Sequence, residues 1–313
     1  MLSRTADNLF WLSRYVERAE ALARILEATQ RLASLPVAYA GSTNEWESAV
    51  NSAGCSSAFY AKHEEATAET VVDYLVFEKD NPSSIVNCFE VARHNARAVR
   101  TALTVEMWET INGAWLELRR RPERQLVGEE FTRFLGWVKE IGLRFDGSAS
   151  RTMLRNDIYS FSRLGMLLER ADNTARILDV KYHLLLPEET KVGGGLDYYQ
   201  WSAILRAVSA QTSYHWVYRQ SLKPWLIADL LILNDQMPRS LAACYGDMVR
   251  HLDDLSRGYG RQGPSQRIAR ATRAKLENAG IEEVFQNGLH EFITGFIGEN
   301  NRLGAAIHEQ YLA

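Results

Sequence analysis

The chain has 313 residues, with 36 Lys and Arg against 39 Asp and Glu, a formal charge of −3 at pH 7. Hydrophobic residues are 46 % and charged residues 24 %, ordinary globular proportions that exclude a disordered chain, a collagen-like repeat and a membrane bundle. The near balance of charge argues against a dedicated nucleic-acid-binding domain, and only seven prolines favour long helices.

In chain order, apolar spacing predicts helices over 5–33, 43–61, 64–78, 82–112 and 126–145. The second half gives 156–186, 196–218, 222–234, 238–257, 265–279 and 281–311. Leu12, Val16, Ala19, Ala23 and Leu26 carry the helical period in the first segment, and Leu164, Leu168, Ala171, Ala175 and Leu178 carry it in the sixth. Pro82 and Pro238 suit helix starts, because a missing N–H costs nothing in the first turn. Pro36, Pro122, Pro187, Pro224 and Pro264 fall between periodic segments, and Gly193-Gly194-Gly195 reads as a connector. No alternating run announces a sheet, so the fold class is all-α.

The charged N-terminus has no apolar core of a signal peptide. The longest apolar run, Trp225 to Leu233, is broken by Asp229, whereas a spanning helix needs ~20 apolar residues. Cys55, Cys88 and Cys244 are far apart and form no CxxC. A cytoplasmic location with reduced, buried thiols is expected.

The chain repeats itself. ERAEALARILE at 17–27 matches ERADNTARILD at 169–179, with the same Glu-Arg-Ala and Ala-Arg-Ile-Leu and an acid for an acid at two further places. Farther on, Pro82, Ser84 and Cys88 meet Pro238, Ser240 and Cys244, each 156 residues later, and Phe134 meets Phe292. The offset drifts slowly and in order, as in a tandem duplication. The expected architecture is a helical bundle of two pseudo-twofold-related repeats, 1–155 and 156–313, forming one compact domain.

On a helical wheel, Glu17 and Arg18 point away from the Ala19/Ala23 stripe, yet Phe10, Ala21 and Ile25 share their face. A helix apolar on most sides is buried, and its charges then need partners. Twofold geometry predicts Glu17 against Arg170 and Glu169 against Arg18. Glu20–Arg24 and Asp172–Arg176, four apart, brace the same cluster. Two readings stand side by side: a buried charge lock, or a pocket in which arginines hold a small anionic or peptide ligand by its carboxylate or phosphate. Arg4, Asn8, Arg14, Arg93, Asn95, Arg97 and Arg163 are further polar candidates for that pocket.

LSRTADNLFWLSRYVERAE at the N-terminus, FSRLGMLLERAD in the second half, NPSSI, ARHNARAVR and EMWETIN together resemble the alpha-E domain family, over essentially the whole chain. Arg4, Asn8, Trp11, Arg14, Tyr15, Glu17 and Arg18 carry the resemblance most specifically. That bacterial helical family is named for its Glu-Arg motif. Membership implies a cytoplasmic protein encoded beside, or fused to, a circularly permuted ATP-grasp ligase, often near a transglutaminase-like protease. It further implies a role in peptide or amide ligation. The second motif departs from the first by placing Arg163 and Gly165 where Trp11 and Ser13 stand.

No histidine has Glu three residues before it, and HExxH, GxSxG and GxxxxGK[ST] are missing from the sequence. Neither a metal nor another cofactor is therefore expected. Arg119-Arg120-Arg121 and the stretch RGYGRQGPSQR are too short for a nucleic-acid platform. The expected function is a non-catalytic or accessory helical partner of an ATP-grasp amide or peptide ligase. The alternative is an enzyme of the same pathway that uses Glu17 and Glu169 for acid–base work, which requires a raised carboxyl pKa. A nucleic-acid-binding helical repeat ranks last.

Overall fold

The computed structural model describes residues 3–34, 44–121, 126–184 and 195–313. The first half supplies α1 (Ser3–Ala33), α2 (Glu45–Ser52), α3 (Ser56–Tyr60), α4 (Ala68–Val76), α5 (Ile85–Ala98), α6 (Val105–Arg120) and α7 (Gly128–Thr152). The second half supplies α8 (Asp157–Leu184), α9 (Gly195–Ala207), α10 (Gln211–Tyr218), α11 (Pro224–Ile232), α12 (Leu241–Tyr259), α13 (Pro264–Asn278), α14 (Ile281–Gln286) and α15 (Leu289–Ile307), closed by one π-helical turn, His308–Leu312. Among the described residues there is no strand, and the fold is all-α.

Four expected helices divide, each for a local reason. The segment 43–61 breaks at Gly54, whose φ of +68° leaves the helical region. The segment 82–112 breaks between α5 and α6, where Thr104 accepts the amide of Met107 and starts a new helix. Ser209, at φ +55°, separates α9 from α10, and Gly288, at φ +98°, separates α14 from α15. Pro82 and Pro238 precede their helices rather than open them; the caps are Ser84 and Ser240, whose hydroxyls accept the amides of Asn87 and Ala243. Pro264, expected just before its helix, and Pro224, inside the predicted 222–234, both occupy first turns, of α13 and α11. Pro36, Pro122, Pro187, Gly193 and Gly194 lie outside the described residues.

Helices α1 and α8 form the spine. Their partners climb together along both chains, Ser13 with Ser162 and then Glu17 with Arg170, so the two helices run side by side in the same direction. Small residues let them approach: Ala19, Ala23, Ala171 and Ala175 are fully buried. The tightest point is Gly165, where an added Cβ would stand 2.1 Å from the carbonyl oxygen of Phe10. Helices α5 and α7 cover α1, α12 and α15 cover α8, and α2 and α9 pack against both. With neighbours on most sides, α1 buries Ala21 and Ile25 as well as its Leu12–Leu26 stripe.

The close approach has a measurable consequence. Gly165→Ala adds a methyl group where backbone stands in the way, and overpacking of this kind costs about 1–3 kcal/mol. Gly147→Ala, inside α7 with open space around its Cβ position, instead gains up to about 1 kcal/mol of helix propensity. Urea melts of the two variants should therefore move in opposite directions. Equal midpoints would show that the α1–α8 contact yields easily.

Candidate functional site

The buried faces of α1 and α8 carry ionised side chains, and each of Glu17, Glu20 and Glu169 meets arginine from the other half. Arg170 donates to Glu17 at two points, Nε to Oε1 at 3.0 Å and Nη2 to Oε2 at 2.9 Å. Arg18 grips Glu169 in the same fork, Nε to Oε1 at 2.7 Å and Nη2 to Oε2 at 3.0 Å. Each glutamate then takes a further arginine: Arg239 donates to Glu17 at 2.8 Å, and Arg14 to Glu169 at 2.8 Å. Glu17 and Glu169 are only 3 % and 2 % exposed, so neither is solvated by bulk water. Planar two-point pairing of this sort is what makes such burial tolerable.

The charges follow from the geometry. Burial pushes the Glu17 carboxyl up, but Arg170 and Arg239 overcome it and hold the group at about 2. Burial likewise opposes the charge on Glu169, and Arg18 and Arg14 hold it at about 2. Arg18 and Arg170 are desolvated too, yet the facing glutamates raise both above the ordinary arginine value. Both pairs stay ionised at any physiological pH.

Arg239 extends the cluster by one turn of α1. It donates to Glu20 at 2.6 Å, and Arg24 meets the same carboxylate oxygen at 2.7 Å. Five arginines (Arg14, Arg18, Arg24, Arg170, Arg239) thus face three glutamates, and the surplus donors turn to neutral acceptors. Arg24 donates to Ser209 Oγ at 2.7 Å and to the Ala207 carbonyl at 3.3 Å, stapling the left-handed Ser209 turn to α1. Burial, and then the like charge of Arg239, lowers the Arg24 pKa. Lower on α8, Asp172 accepts from Arg176 at 2.6 Å. Burial raises the Asp172 carboxyl, and its Oδ1 is buried with no hydrogen-bond partner. Arg176 lies on Gly54, where a Cβ would stand 2.4 Å from its Nη1.

The structure therefore gathers Arg14, Glu17, Arg18, Arg24, Glu169 and Arg170 into one network, with Asp172 and Arg176 as a separate pair. The other candidates go elsewhere. Arg163 pairs with Asp146 of α7, Arg93 donates to Asn112 of α6 at 3.0 Å, and Asn8 donates to the backbone of Arg4 at 2.6 Å. Arg4 and Arg97 are exposed and Asn95 is half-buried. The cavity beside Glu17, lined by Ser13, Phe145, Asp146 and Arg163 among others, has room for about one water. It is no pocket for an amino acid.

Arg239 escaped the sequence reading because it lies on neither Glu-Arg helix. The internal sequence match held the signal: at its offset of 156 Arg239 falls opposite Ser83, and Ser83 itself accepts from Arg18 at 3.4 Å. The cysteines one turn on are inert, since burial pushes the Cys88 and Cys244 thiols up to about 12. Among the described residues, no group of three or more His, Cys, Asp or Glu is placed to hold a metal ion. Nor, among them, is any helix long and apolar enough to cross a membrane.

The family Alpha-E, described as a predicted alpha-helical domain with a conserved ER motif, matches residues 1–312. Uncharacterized proteins of Mycobacterium bovis and of two Mycobacterium tuberculosis strains are each 23 % identical over 91 % of this chain. The chain spans about a third (34 %) of the length of these relatives. No solved structure matches it significantly.

Proposed function

The chain belongs to the Alpha-E family, and we propose that it serves as a non-catalytic helical partner of an ATP-grasp amide or peptide ligase in the cytoplasm. One observation carries this reading: the motif that names the family is consumed by structure. Glu17 and Glu169 each face two arginines and sit at about 2, too acidic to donate a proton and too weakly basic to take one near neutrality. The pocket for a small anionic ligand loses support for the same reason, because the arginine forks already hold carboxylates of the chain itself. The two halves, 1–155 and 156–313, then act as duplicated arms whose motifs clamp each other, and function falls to the outer surface. The length of the mycobacterial relatives supports a companion role, since the matched segment there is accompanied by further polypeptide.

The test separates the clamp from an active centre. Arg18→Lys keeps the charge and loses the two-point fork. In a folded Arg18→Lys variant, co-purification with a co-expressed ATP-grasp amide or peptide ligase and product yield are both expected to match the wild type. A folded, ligase-bound variant that makes no product would overturn the non-catalytic reading. A wild-type chain that does not co-purify with the ligase would overturn the partnership.

A further inference from the structure

Where the start of α8 meets the end of α12, the surface opens into a cleft of about 480 Å³ that no residue of the Glu-Arg network lines. That size suits a small molecule. Asn156, Asp157 and Ser160 stand on one side, and Asp254, Leu255 and Tyr259 on the other. Ser160 is only 4 % exposed, yet its hydroxyl bonds to no described residue. A buried hydroxyl without a partner costs stability, and this one stands in the wall of a cleft large enough to bring it one. Asn156 is half-buried beside it. Its side-chain oxygen accepts the amide of Tyr159 at 3.4 Å, while its Nδ2 donates to no described residue.

The walls are fixed before any ligand arrives. Tyr259 donates to Asp157 at 3.0 Å and so ties α12 to α8 across the cleft. Burial and the Asp157 carboxylate push the Tyr259 phenol up to about 12, so it keeps the proton it donates. Its ring packs on Tyr311 with centroids 5.8 Å apart. At the rim, Arg155 lies over the Tyr159 ring at 4.1 Å and donates to the Ser150 carbonyl at 2.7 Å. Little ordering of side chains is left for binding to do.

The polar groups select the occupant. An anion meets Asp157 and Asp254, and the α8 amides that could hold it are taken, Ile158 by Asp157 at 2.9 Å and Tyr159 by Asn156. A cation meets Arg155 and finds Asp254 already paired with Arg257. An apolar molecule leaves Ser160 and Asn156 as they are. A hydroxyl both donates and accepts, and so can take the Asn156 Nδ2 hydrogens, give to a carboxylate and pair with Ser160 at once. We propose that this cleft binds a small neutral polyol, a sugar or cyclitol, with adjacent hydroxyls on Ser160, Asn156 and Asp254 and its C–H face against Leu255.

Titration calorimetry with D-glucose, myo-inositol and cyclohexanol tests it, with D-glucosamine and D-glucuronate as charged forms of the sugar. The better of the two neutral polyols is expected to bind at least about tenfold more tightly than cyclohexanol, and no weaker than either charged sugar. Ser160→Ala removes a hydroxyl that pairs with nothing in the chain, so the variant is expected to fold. It should weaken the polyol about five- to tenfold and leave cyclohexanol unchanged. Gly258→Leu fills the cleft from its rim, since an added Cβ there meets nothing within 4 Å, and should abolish binding of every probe. If Ser160→Ala fails to fold, Gly258→Leu and the ranking of probes on the wild type decide. Cyclohexanol or a charged sugar binding as tightly as the polyol or more so, affinity untouched by Ser160→Ala or by Gly258→Leu, or no binding of any probe would overturn the proposal.

Discussion

Glu17→Gln is expected to cost about 3–5 kcal/mol, among the largest single-residue losses in this protein. The amide keeps the shape and removes the charge, leaving Arg170 and Arg239 buried against a neutral group. Arg170 is 9 % exposed, so water gives it little relief. Glu140→Gln makes the same chemical change at the surface, where Arg144 and Glu140 pair at 2.8 Å with more than half of each side chain exposed. Exposed pairs contribute ~0–1 kcal/mol. At a melting entropy of about 2.1 cal/mol/K per residue, the buried substitution lowers Tm by about 5–8 °C, and the surface one by about 1.5 °C at most. Indistinguishable melts would show that the Glu17 fork contributes nothing net to the fold.

The cross-pairing of Glu17 with Arg170 and Glu169 with Arg18 was legible in the sequence because two independent facts met there. The internal match put a Glu-Arg pair on each of two helices, and the apolar residues around each pair left no solvent for it. Periodicity also located α1, α8 and α13 closely, though it ended α7 seven residues early. It failed at Gly54, Ser209 and Gly288, where one residue with positive φ splits an apolar pattern that continues on both sides. Periodicity counts apolar faces and is blind to a single backbone dihedral. Arg239 was missed for a different reason: its contacts with Glu17 and Glu20 span more than two hundred residues, and nothing local to Pro238-Arg239-Ser240 marks it. Arg93, Arg97 and Arg4 show the converse error. Polar residues on long helices suggest a shared pocket, but their direction around the helix is fixed by packing.

Acid should unfold this protein through the same two carboxylates. In the unfolded chain Glu17 and Glu169 titrate near the ordinary value of 4.5, whereas the fold holds each at about 2. A carboxyl whose folded pKa is depressed contributes stability that is fully present above the unfolded value. That contribution fades as pH falls from about 4.5 toward about 2, because the unfolded state takes up protons that the native state refuses. Two such groups supply on the order of 5 kcal/mol at neutral pH. Asp172 works in the opposite sense: burial raises its carboxyl, so protonation relieves strain there and partly offsets the loss. Urea midpoints measured from pH 7 down to pH 2.5 should be flat to about pH 5 and fall steeply below it. Glu17→Gln removes one of the two depressed carboxyls, so its curve should start lower and decline less. A wild-type curve that stays level to pH 3, or a Glu17→Gln curve that runs parallel to it, would mean that these glutamates are no more acidic in the fold than in the open chain.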